Sequence, residues 1–195
     1  MSYIKDFEKT YTPDTQKNQT QKGTLYLVGT PIGNLSDISE RALKVLSEVD
    51  FIAAEDTRNS GKLLSYFGIK KPMVSYFEHN KRERGEAIVA RIEAGEACAL
   101  ITDAGMPAIS DPGEDIVRIC AEKCVPVSVV PGPCAAISAL AMSGLFTGKF
   151  TFEGFLSTAN NERRDALEAL KNERKTIIFY EAPHKLRGTL ADLYK

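Results

Sequence analysis

The sequence predicts an α/β protein built on a mostly parallel sheet. Three observations predict it. Five short apolar runs alternate with five helical patterns between residues 23 and 144, the arrangement that places strands side by side with helices on both faces. Gly and Pro mark the turns where several of these runs hand over to their helices. The chain has 195 residues, 43% of them hydrophobic, enough to bury a core in one or two domains.

Taken in order, residues 1–22 are polar, and "TPDTQKNQTQKG" carries no apolar period. Such a segment is expected to be a disordered or loosely attached tail. The fold is expected to begin near Gly23, where "TLYLVG" reads as a strand. "SDISERALKVLSEV" then sets Ile38, Ala42, Leu43, Leu46 and Val49 on one helical face. Asp37 and Glu40 have the spacing of a capping box. The second unit pairs "FIAAE" with a helix through Leu63, Leu64 and Phe67, and the third pairs "MVSYF" with "ERGEAIVARIEA". The fourth pairs "ACALIT" with "EDIVRICAEK", and the fifth pairs "VSVVPG" with "AAISALAMSG".

After Gly144, "LFTGK" reads as a connector, which sets a domain boundary near Gly148. A strand in "FTFEGF", a helix in "RRDALEALKN", a strand in "TIIFYEA" and a helix in "HKLRGTLADLYK" follow. The expected domains are therefore 23–148 and 149–195. The latter is too short for a comfortable α/β domain and stops within helical periodicity, so it reads as incomplete.

Composition narrows the function. With 25 Lys and Arg against 26 Asp and Glu, net charge supports no extended nucleic-acid footprint, and any RNA contact must be local. No apolar run reaches the ~18 residues of a membrane span, and the N-terminus has no signal-peptide pattern, so a cytoplasmic protein is expected. Cys98, Cys120, Cys124 and Cys134 are then reduced thiols. Cys120 and Cys124 share a helix face, but His79 and His184 are the only histidines, so no metal site is expected.

Three of the Gly/Pro-rich turns, "GTPIGN", "DAGMPAISDPG" and "PGPCA", fall at strand carboxyl ends, where open parallel sheets bind ligands. Glycine there lets backbone approach a ligand, and proline fixes a loop in advance. None matches a dinucleotide or P-loop pattern. Together they predict a small-molecule pocket at the strand ends.

These same residues carry a resemblance. "GTLYLVGTPIGNLSDISERALKVLSEVDFIAAEDTR", "DAGMPAISDPG", "PGPCAAISAL", "FEGFL" and "YEAPHK", in this order, look like the tetrapyrrole-methylase superfamily, in particular its bacterial members that act on ribosomal RNA. The resemblance implies S-adenosylmethionine as methyl donor, bound between two α/β domains. It also implies 2'-O-methylation of a cytidine at the decoding centre of 16S rRNA, with the small ribosomal subunit as substrate particle, and a homodimer. Position by position it assigns the donor site to Pro31, Asp103, Gly105, Met106, Pro107, Ile109, Cys134, Ala135 and Tyr180. Met106 and Cys134 depart from the family's usual Thr and Ser.

Transfer of a methyl group to a hydroxyl calls for a base or an oxyanion-stabilising group. Asp103, Glu55, Asp56 and His79 are the candidates, and the sequence does not choose among them. Asp103 has the alternative role of bracing its turn, Asp56 of capping a helix, and His79 of an exposed loop residue. For RNA, Arg58, Asn80, Lys81, Arg82 and Arg84 offer phosphate contacts near strand ends; the alternative is a solvated charged face. Two other functions remain open on sequence: methylation of a tetrapyrrole precursor, and a non-catalytic fragment lacking the C-terminal part of the site.

Overall fold

The structure, a computed structural model, describes residues 19–77 and 81–194, with only the backbone of Lys81. Contacts divide it into two units, Met1–Gly132 and Pro133–Lys195.

The first unit holds β1 (Leu25–Val28), α1 (Glu40–Glu48), β2 (Phe51–Ala54), α2 (Thr57–Tyr66), β3 (Met73–Ser75), α3 (Lys81–Glu93), β4 (Cys98–Ile101), α4 (Glu114–Glu122) and β5 (Val127–Val130). The strands form one five-stranded sheet in the order β3-β2-β4-β1-β5, every pair parallel. Every residue of β1, β2 and β4 is buried, because helices cover both faces of these central strands. At one edge, β5 leaves Val127 and Val129 exposed.

Side chains alternate across the sheet, and the core divides accordingly. Leu25, Leu27, Phe51, Ala53, Cys98 and Leu100 meet Ile88, Val89 and Ile92 of α3 and Ile116 and Cys120 of α4. Tyr26, Val28, Ile52, Ala54, Ala99 and Ile101 meet Ala42, Val45 and Leu46 of α1 and Leu64 of α2 on the other face. Each cluster lies on one face because the strands are only four residues long and keep strict period 2.

The expected capping box at Asp37 and Glu40 does not form. Leu35–Asp37 instead closes a single 3-10 turn capped by the Asn34 side chain. Ile38 is extended, so the helix starts later, and Ser39 is its N-cap, accepting the Ala42 N–H at 3.1 Å. The tail segment also departs in part from expectation. Thr20 donates to Glu48 at 2.7 Å and Lys22 pairs with Asp50 at 2.6 Å, which ties residues 20–22 to the end of α1 and the start of β2. Residues 1–18 lie outside the described residues.

The second unit contains α5 (Ala135–Met142), β6 (Phe150–Phe155), α6 (Asn160–Leu170), β7 (Thr176–Tyr180) and α7 (Leu186–Tyr194). β6 and β7 pair in parallel with an irregularity between Phe152 and Gly154. α5 groups with these strands because Ala136 and Leu140 bury against Ile178, with Phe152 and Tyr180 packed alongside. The chain therefore passes between units at Gly132–Pro133, ahead of the position near Gly148 that punctuation suggests. Arg163 of α6 links to α7 through Asp192 at 2.9 Å and Thr189 at 2.7 Å.

Candidate active site at the strand ends

In the first unit the chain leaves β2 toward β3 on one side and leaves β4 toward β5 on the other. That divergence between neighbouring strands opens a crevice at their carboxyl ends. The turns after β1, β4 and β5 meet beside it. Thr30 exchanges two backbone hydrogen bonds with Gly105, at 2.9 and 3.1 Å, and its hydroxyl donates to the Thr102 carbonyl at 3.1 Å. Gly29 lies so close to the β5 turn that a β-carbon on it would sit 2.7 Å from Gly132 Cα and 2.7 Å from Met106 Sδ. Glycine is required there by close approach, and Met106 packs into the space it leaves.

The loop from Asp103 to Gly113 is held in a costly conformation. Ala108 and Ser110 have φ of 67° and 58°, a region that non-glycine residues avoid. Gly113 has φ of 150°, and a β-carbon there would fall 2.8 Å from Ala108 N. Strain of this kind, about 1–3 kcal/mol per residue, concentrates where a loop must present its backbone in one shape. Within the loop Gly105 and Pro107 are buried, Met106 is half-buried, and Asp103, Ala104 and Ile109 face solvent.

Three carboxylates converge at the crevice. Glu55 follows β2 and accepts the Asp103 backbone N–H. Burial pushes its pKa above the usual carboxylate value, and the negative charges of Asp111 and Asp103 push it further. Asp111 is raised for the same reasons, burial first and Asp103 second. Asp103 itself accepts from the Asn59 amide at 3.0 Å. Asp56 behaves in the opposite way. It is the N-cap of α2, accepting the Arg58 N–H at 2.8 Å, and its other oxygen meets the Arg58 guanidinium at 2.9 Å. The Arg58 side chain holds its pKa at about 2, so Asp56 is a weaker base than Glu55 or Asp111.

Beside these carboxylates lies an open cavity of about 470 Å³. Pro31, Gly33, Asn34 and Leu35 from the β1 turn form one wall, Asn59, Lys62, Leu63 and Tyr66 from α2 form another, and Asp103 closes one end. The α2 residues are spaced i, i+3, i+4 and i+7, which places them on one face.

The structure thus brings together Pro31, Asp103, Gly105, Met106, Pro107 and Ile109 in one cluster of turns, with Glu55 beside them. Cys134, Ala135 and Tyr180 belong to the second unit. Cys134 is the N-cap of α5 but makes no side-chain cap hydrogen bond. The Tyr180 hydroxyl accepts the Ala136 N–H at 3.1 Å, supplying the capping contact from β7. Its ring packs against Phe152 and Phe155, with centroids 4.9 and 5.6 Å away. Of the residues expected to meet RNA, Arg58, Arg82 and Arg84 are exposed, and Arg58 is engaged by Asp56. His79 and Asn80 lie outside the described residues, as does the Lys81 side chain.

Asp111 and Asn59 were absent from the sequence-derived site. Asp111 stood in the same turn as Asp103 and could have been found there. The polar and aromatic face of α2 was legible as a helical spacing, but nothing local tells that it lines a cavity.

Residues 24–195 match the family described as Tetrapyrrole (Corrin/Porphyrin) Methylases. The chain is 53% identical over 171 residues to the ribosomal RNA small subunit methyltransferase I of Synechocystis sp., covering 88% of this chain and 61% of that protein. It is 49% identical to the protein of the same name from Thermotoga maritima, covering 88% and 77%. The chain thus spans about three fifths of the length of the first of these relatives. Among solved structures, uroporphyrin-III-C-methyltransferase from Thermus thermophilus aligns with a TM-score of 0.62 at 22% identity, over 88% of this chain and 73% of that one. Diphthine synthase aligns with a TM-score of 0.65 at 17% identity, over 87% and 71%. The two share the fold. With a family match over nearly all of the described residues, and the strand-end turns that carried the resemblance now seen interlocked at one crevice, the chain belongs to the tetrapyrrole methylases.

Proposed function

We propose that the chain catalyses methyl transfer from S-adenosylmethionine to the ribose 2'-hydroxyl of a cytidine in 16S rRNA, presented by the small ribosomal subunit. The observation that carries this reading is identity near one half, over most of the chain, to proteins named ribosomal RNA small subunit methyltransferase I. The lining of the cavity agrees with it. A porphyrin-like acceptor would want a broad apolar cleft with basic groups for its carboxylates, whereas this cavity sets the amides of Asn34 and Asn59 and the carboxylate of Asp103 among Leu35, Leu63 and Tyr66.

The turn from Asp103 to Ile109 fits the donor's chemistry. The exposed Asp103 and Ala104 and the apolar Ile109 side chain suit a nucleoside whose base presents an apolar ring face. Cys134, Ala135 and Tyr180 are the other donor contacts of this proposal, taken from the family resemblance. When bound, the donor supplies an electrophilic methyl on a sulfonium, and the protein's share is alignment and proton handling. Glu55 is the proton acceptor. Its carboxylate, kept basic by burial and then by Asp111 and Asp103, would take the hydroxyl proton at a carboxylate oxygen as the ribose oxygen gains the methyl, the methyl–sulfur bond breaks and the sulfonium leaves as a neutral thioether. Arg58, Arg82 and Arg84, exposed cations, are the proposed phosphate contacts, and the sequence adds Asn80 and Lys81, which lie outside the described side chains.

No helix among the described residues is long and apolar enough to cross a membrane; a cytoplasmic homodimer acting on ribosomal particles is part of the proposal. The experiment is methylation of small-subunit particles lacking the modification, followed by nucleoside mass spectrometry. A 2'-O-methylcytidine is expected. Methyl on a base, or none on RNA, overturns the reading.

A further inference from the structure

The cavity walled by the β1 turn and α2 lies outside every position assigned to the donor except Pro31 and Asp103. Five of its residues have the chemistry of nucleotide recognition. Tyr66 is 68% exposed, yet its ring is held edge-on against Phe67, with centroids 4.9 Å apart and planes at 86°. An aromatic ring fixed open to solvent is a stacking platform, and unstacked bases seek such faces. Leu35, 40% exposed across the cavity, offers a second apolar surface. Lys62 lies one turn along α2 from Tyr66 and is exposed, in reach of a phosphate on a nucleotide whose base rests on that ring.

The polar groups of the lining are partly committed, and what remains uncommitted has a pattern. Asn34 uses its carbonyl oxygen to cap the 3-10 turn, accepting the Ser36 N–H at 3.0 Å, which leaves its amide N–H groups as donors. Asn59 donates to Asp103 Oδ2 at 3.0 Å, which orients that carboxylate and leaves Oδ1 as an acceptor. An acceptor and a donor lining one cavity suit a base edge with an exocyclic amine next to a ring acceptor, as cytosine and adenine have and uracil does not.

We propose that this cavity is the acceptor site, taking a single unstacked nucleotide with an amino-bearing base, stacked on Tyr66, its phosphate at Lys62 and its edge read by Asp103 and Asn34. The site deepens the proposed function and rests on it, since a nucleotide splayed out of its stack offers its base to an aromatic ring and its ribose 2'-hydroxyl to the reacting groups at once. Asn59 is then a positioning residue, acting through Asp103.

The test is titration of cytidine 5'-monophosphate, uridine 5'-monophosphate and cytidine into the chain and its Tyr66→Ala and Lys62→Ala variants, by calorimetry or NMR. Both side chains are exposed, so the fold is retained. Cytidine monophosphate is expected to bind about fivefold or more tighter than uridine monophosphate. Tyr66→Ala should weaken it about tenfold, and Lys62→Ala should remove the advantage of the monophosphate over the nucleoside. Absence of binding, or equal affinity in Tyr66→Ala, overturns the site. Methylation of small-subunit particles assayed alongside separates the two readings: particles modified while Tyr66→Ala binds normally leaves the function standing without this pocket, and Tyr66-dependent binding without methylation leaves the pocket without that function.

Discussion

Glu55 and Asp111 are acids that folding makes weaker, and Asp56 is one that folding makes stronger. The distinction lies in their surroundings: burial and like charges at the first two, the Arg58 guanidinium and N–H at the third. Stability should follow with opposite signs. For Glu55 and Asp111, whose pKa values are raised, the stabilising contribution is complete below the unfolded carboxylate value of about 4 and is lost as pH rises through the raised one. For Asp56 the contribution is present above its unfolded value and lost as pH falls toward about 2. Asp111→Asn is therefore expected to raise the melting temperature at neutral pH and to raise it less near pH ~4, measured by calorimetry; a fall at neutral pH would mean that Asp111 is held as a favourable anion. Asp56 as a helix cap was legible in sequence from its place before α2. The raised pKa of Glu55 was not, because it depends first on burial and then on Asp111 and Asp103, residues far along the chain.

At the scale of the element, the three interlocked turns depend on Gly29 and Gly132 having no side chains. Gly29→Ala forces a methyl against backbone and the Met106 thioether, and should cost about 1–3 kcal/mol in denaturant unfolding, with weakened donor binding because the Asp103–Gly113 loop moves with Gly105. Helix α5 makes a second case. Its N-cap, Cys134, makes no cap hydrogen bond, and Tyr180 supplies the contact to Ala136 instead. Cys134→Ser should add about 0.5–1 kcal/mol of stability, and Tyr180→Phe should remove about 0.5–1.5 kcal/mol. Strand-helix alternation made nearly every element legible, since apolar runs and helical faces are local patterns. Ser39 was missed as a cap because a 3-10 turn at Leu35–Asp37 consumes the residues that looked like a capping box.

The whole molecule combines a well-filled sheet unit with a sparser second unit. Two core clusters cover both faces of the first, while the second buries Ala136, Leu140 and Ile178 and leaves Met142, Leu145, Phe146 and Phe155 more than half exposed. Parallel sheets were legible as a class, but the order β3-β2-β4-β1-β5 was not, because each crossover passes over a strand or beside it without changing the local sequence pattern. That order is what places Glu55 and Asp103 on adjacent strand ends, and so what makes a site. The most direct measurement is the rate of single-turnover methylation of small-subunit particles against pH, by the wild-type chain and by Glu55→Gln. Glu55 as proton acceptor requires a wild-type rate that falls as pH drops through its raised pKa, and a loss of about 10²–10⁴ in the variant, with S-adenosylmethionine binding retained. A variant that methylates at the wild-type rate with the same pH profile would contradict it.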